Sequence, residues 1–61
     1  MALPKDPFML LSYINTQLRD NFSSLSELAV SLGENEEQVR TALAGAGFIY
    51  NEELNRFVTK E

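Results

Sequence analysis

The side chains in this sequence that could carry chemistry are nine carboxylates, the hydroxyls and two tyrosines, because it contains no cysteine and no histidine. The missing thiol excludes disulfides, thiolate metal sites and a cysteine nucleophile. The missing imidazole removes the usual neutral-pH general base and the commonest metal ligand. Two acidic groups could suggest a divalent cation: Glu34, Glu36 and Glu37, and Glu52 and Glu53 between Asn51 and Asn55. Neither has the alternating ligands and glycine of a calcium loop, so both read as solvated faces, and no metal or other cofactor is expected. Gly45-x-Gly47 follows a helical pattern instead of opening one, so it reads as a cap and not as a phosphate loop. Tyr13, Tyr50 and the serines have no base at a recognisable spacing, and 61 residues leave little room for a ligand pocket. The chain is therefore not expected to be an enzyme or to take a small-molecule substrate.

The stretch that must position everything else is Ser24 to Gly47. Leu25, Leu28, Ala29 and Leu32 recur at helical spacing, and Val39, Ala42, Leu43 and Ala46 repeat the pattern. Ser24 with Glu27, and Asn35 with Gln38, supply side-chain acceptors for the free N–H groups at each helix start. Gly33 and Gly47 follow apolar periodic segments and precede reversals, which predicts positive φ at both. Two short helices joined by a tight turn make a helix-turn-helix, and the spacing of Ala29, Gly33 and Val39 resembles the core of such DNA-binding motifs.

Upstream, Asp6-Pro7 opens a helix predicted over 7–20, with Leu10, Leu11, Ile14 and Leu18 as its stripe and Phe22 folding back onto the same core. Downstream, Phe48-Ile49-Tyr50 and Arg56-Phe57-Val58 are β-prone runs around the loop Asn51 to Asn55, which suits a type I turn followed by a left-handed position. Met1 to Lys5 reads as an extended arm, with Leu3 as an apolar tether, and Thr59 to Glu61 as a frayed end. The fold class is all-α with a small β-hairpin: one three-helix helix-turn-helix domain over 1–61, winged-helix-like. Its core is predicted to hold Leu11, Ile14, Leu18, Leu28, Leu32, Val39, Leu43, Phe48 and Phe57.

At MLLSYINTQLRDNFSSLSEL and GFIYNEELNRF the sequence resembles a bacterial group of small stand-alone proteins, the domain-of-unknown-function family 4250. The likeness runs from Leu3 to Phe57, and its most specific parts are Asn15, Leu18, Arg19 and Asp20, and Gly47, Phe48 and Tyr50. The resemblance implies a complete bacterial protein with no known enzyme chemistry, and it carries no ligand or partner.

Three surfaces are candidates for function. Met9 and Tyr13 lie one turn apart on the first helix, away from its main stripe, and form a candidate protein interface, to a partner or to a second copy. Glu36, Glu37, Arg40 and Thr41 would be the nucleic-acid face if the third helix entered a groove. A net charge of −4, with Lys5, Arg19, Arg40, Arg56 and Lys60 scattered, disfavours that reading, since phosphate binding needs clustered cations. A Glu36 to Arg40 pair across one turn accounts for the same residues structurally. Asn15, Arg19 and Asp20 form a polar cluster expected to be structural, with Asn15 and Asp20 on backbone groups of the hairpin or loop and Arg19 paired at the surface. The longest apolar run, Phe8 to Leu11, is too short to span a bilayer, and there is no secretory signal, so a cytoplasmic location without membrane contact is expected. The function expected is a non-catalytic protein-binding or homodimerising module, with a DNA-binding winged helix as the alternative.

Overall fold

The computed structural model describes residues 3–60. Its first helix starts where Asp6, in extended conformation, accepts a hydrogen bond from the Met9 N–H at 3.0 Å, with Pro7 at a helical position that needs no donor. This helix, α1, spans Pro7–Asp20. Ser24 caps α2, Leu25–Leu32, through the Glu27 N–H, and Asn35 caps α3, Glu36–Ala44, through the N–H groups of Glu37 and Gln38. Glu27 does not reach back to the Ser24 N–H; its carboxylate accepts instead from the Ser23 hydroxyl at 2.5 Å. Gly33 ends α2 at φ 69°, and Gly47 ends the turns after α3 at φ 94°, both in the left-handed region where a Cβ is strained.

Two strands follow, β1 over Phe48–Asn51 and β2 over Arg56–Thr59, paired antiparallel with Tyr50 opposite Phe57 and Asn51 opposite Arg56. The loop between them turns on Asn55, whose φ of 54° is the left-handed position that the sequence placed there, and the Asn51 side chain accepts from the Leu54 N–H. The chain is therefore mostly helical with one small hairpin. β2 packs on α1 and β1 on α3, so the hairpin closes one side of the three-helix cluster.

The core holds Leu10, Ile14 and Leu18 from α1, Leu25 and Leu28 from α2, Val39 and Leu43 from α3, and Phe57 from β2. Each contributes about 1.5–3 kcal/mol by leaving water. Leu3, Phe22, Leu11, Leu32 and Phe48 pack against this cluster but stay half-buried, because they sit at its margins. The expected core shifts accordingly: Leu10 and Leu25 lie inside it, and Ala42 is exposed. Thr59 is not frayed but ends β2, and the Lys60 N–H donates to the Gly47 carbonyl at 2.7 Å. Met1 and Ala2 of the expected arm, and Glu61 of the expected frayed end, lie outside the described residues. Among the described residues no helix is long and apolar enough to cross a membrane.

Candidate functional site

Asn15 lies on the side of α1 that meets β2. Its amide donates to the Phe57 carbonyl at 3.1 Å, and its oxygen accepts from the Phe57 N–H at 2.7 Å. One side chain thus gives Phe57 both bonds that an adjacent strand would give it. Asn15 sits on hairpin backbone, as its place beside the α1 stripe predicts. The other two members of the cluster bond each other instead. The Arg19 guanidinium pairs with Asp20 at 2.9 Å on open surface, holding the Asp20 carboxyl below its usual range, so Asp20 serves its neighbour and not the loop backbone.

A second asparagine joins three elements. The Asn55 amide donates to the carbonyls of Leu18 and Phe22, at the end of α1, while its oxygen accepts from the Tyr50 hydroxyl at 2.6 Å. That hydroxyl in turn accepts from the Leu25 N–H, at the start of α2, at 3.3 Å. No buried side-chain polar atom among the described residues lacks a partner. The sequence marks Asn55 as a turn residue, but its role as an anchor comes from contacts with residues more than thirty positions away, which local pattern cannot signal.

On α3 the Arg40 guanidinium pairs with Glu36 at 2.9 Å, as the spacing predicts, and lies 5.3 Å from the centre of the Tyr50 ring. Glu36 also accepts from the Ser26 hydroxyl of α2 at 2.7 Å. This hydrogen bond first, and Arg40 second, hold the Glu36 carboxyl below its usual range against the opposing effect of burial. Of the four residues on the candidate nucleic-acid face, then, Glu36 and Arg40 turn toward α2 and the hairpin and are half-buried. Glu37 and Thr41 are exposed.

The Met9 and Tyr13 pair is divided. Met9 is 63 % exposed, whereas Tyr13 is half-buried and packs against the core. Beside Met9 stands Phe8, 64 % exposed, with its ring edge-on to Phe48 of β1 at 6.0 Å between centres. Sequence reasoning missed Phe8 as a surface group. Its signal was the apolar run Phe8 to Leu11, which exceeds what one buried stripe can absorb on a helix.

An open groove of about 590 Å³ lies between α1 and the hairpin loop, lined among others by Ser12, Thr16, Arg19, Leu54 and Arg56. Among the described residues no three acidic side chains converge as a metal site. A family model described as "Domain of unknown function (DUF4250)" matches residues 4–57. No curated protein and no solved structure matches the chain.

Proposed function

The chain belongs to the DUF4250 family, and on that footing we propose that it is a non-catalytic protein-binding module that docks its partner on the first turn of α1. The observation that carries this reading is the adjacent pair Phe8 and Met9, both more than three-fifths exposed and continuous with Phe48 through the ring contact. Large side chains on one turn lose apolar surface to water until another protein covers them. Nine acidic against five basic residues favour a partner with a basic rim around its apolar contact.

The winged-helix reading has less support. The order of three helices and a hairpin suits it, but Arg40 is engaged by Glu36 and Tyr50, and the exposed face of α3 offers Glu37, Gln38, Thr41 and Ala44, with no cation for phosphate. The test is affinity capture from cells that make the protein, with native chain and with a Phe8→Glu/Met9→Glu variant whose circular dichroism matches the native. The expected result is a protein retained by the native chain alone. Equal retention by both, or retention only of nucleic acid that salt removes, overturns the reading.

A further inference from the structure

The register of the hairpin fixes which main-chain groups its outer edges present. The Lys60 N–H bonds the Gly47 carbonyl inside the hairpin, and the Phe57 N–H and carbonyl are both taken by Asn15 outside it. Tyr50 and Phe57 are therefore a non-hydrogen-bonded pair, in keeping with the 5.5 Å between their ring centres. By the alternation of an antiparallel ladder, Gly47, Ile49 and Asn51 bond across to β2, while Phe48 and Tyr50 point N–H and C=O away from it. Among the described residues no group outside the hairpin bonds those four groups, which lie two residues apart as an added strand requires. Residues 47–51 carry no charge and no proline, and the strand pairs without a bulge, so neither charge, proline nor bulge blunts this short edge. Ile49, on the face of the hairpin opposite the core, is 45 % exposed.

We propose that β1 is a self-pairing edge, to which β1 of a second copy of this chain adds antiparallel about a two-fold axis at Ile49. In that register Phe48 bonds Tyr50 of the second copy and Tyr50 bonds its Phe48, so all four outward groups of each chain are used. Ile49 meets its own copy in a non-hydrogen-bonded pair, the position where facing side chains come closest. Asn51 falls opposite Gly47 and Glu52 opposite Ala46, so no carboxylate faces another. The edge is self-complementary in bonds and sets no like charges against each other, which an unrelated strand would have to match by its own sequence. Two hairpins become one four-stranded sheet. The contact is short, and its dimer belongs to the weak class.

Sedimentation of the native chain at concentrations up to about 1 mM tests this, since dimers of this class dissociate in the micromolar to millimolar range. The mass should rise toward twice the monomer's, and Ile49→Lys, with unchanged circular dichroism, should abolish the rise. The chain has no cysteine, so Ile49→Cys should cross-link to a dimer under mild oxidation. Val58→Cys, on the same face one strand further in, should not, because the two copies of that position stand about 14 Å apart across the joined sheet. A native chain that stays monomeric throughout, or equal cross-linking of the two cysteine variants, overturns the proposal. So does a dimer that survives Ile49→Lys. If that dimer is lost instead with Phe8→Glu/Met9→Glu, self-association belongs to α1, a result distinct from loss of the partner proposed above.

Discussion

Along the β2 edge of the hairpin, Asn15 gives Phe57 from a helix the two bonds that a third strand would give; along the β1 edge, Phe48 and Tyr50 present the same kinds of group with no such side chain against them among the described residues. The difference follows from burial. Phe57 is 2 % exposed beneath α1, where an unpaired N–H or C=O would cost about 1–3 kcal/mol, so a partner has to be built in. On the other strand Phe48 and Tyr50 are only half-buried and Ile49 between them is exposed, so the same groups are under less demand for a built-in partner. A polar residue half-buried on an otherwise apolar helix face can therefore be read as the substitute for a missing strand.

Four variants would break or sharpen this contrast. The largest effect is expected from Leu43→Ala, which removes a fully buried side chain from the core that the hairpin shares and should cost about 2–5 kcal/mol in thermal or urea unfolding. A variant that melts with the native chain would show that the hairpin does not rest on this core. Next comes Asn15→Leu, which keeps volume but leaves both Phe57 groups without a partner, for about 2–4 kcal/mol in the same measurement. Asn15→Asp sharpens it. A carboxylate can accept from the Phe57 N–H but repels its carbonyl, whereas the protonated acid can donate to it, so the deficit of this variant should shrink as pH falls. A deficit independent of pH would mean that the carbonyl contact is not a bond.

The smallest effect belongs to the β1 side, where Glu36 and Arg40 hold Tyr50 through a half-exposed ion pair. The folded Glu36 carboxyl titrates below its ordinary value, so its contribution is present above the unfolded value and is lost as pH falls through the folded one. Melting temperatures of the native chain and of Glu36→Gln should thus differ modestly at neutral pH and converge in acid. A difference that grows in acid would reverse the sign of the interaction.

Much of this was legible in the sequence because the relevant signals are local. Asp6-Pro7, Ser24, Asn35, Gly33 and Gly47 each act on backbone groups within four residues, and all of them stand where the spacing puts them. The Glu36 to Arg40 pair is one turn of helix. Asn15 could be assigned to the hairpin backbone because an amide beside a buried stripe must find partners, although which residue it meets depends on how α1 crosses the hairpin. What stayed hidden is set by the angles between elements. Tyr13 leaves the surface strip it shares in the sequence with Met9, and Phe8 is left outside, because α1 meets the hairpin along a line that helical periodicity does not specify. The reach of Asn55 to Leu18 and Phe22 has the same origin.

The Asn15 to Phe57 contact spans 42 positions of a chain of 61, and this sets an order of events as the protein is made. Three helices can emerge and coil locally while their apolar faces have no lid, since Phe57, which shares the core with Ile14 and Leu18, follows all three in the chain. Forming a hairpin is slow compared with winding a helix, and its contact with α1 is far along the chain, so docking of the hairpin, and not helix formation, should govern how fast the native state is reached. Until then the nascent chain exposes leucines that the finished molecule hides, and that interval is when it is most open to proteolysis and to misassociation.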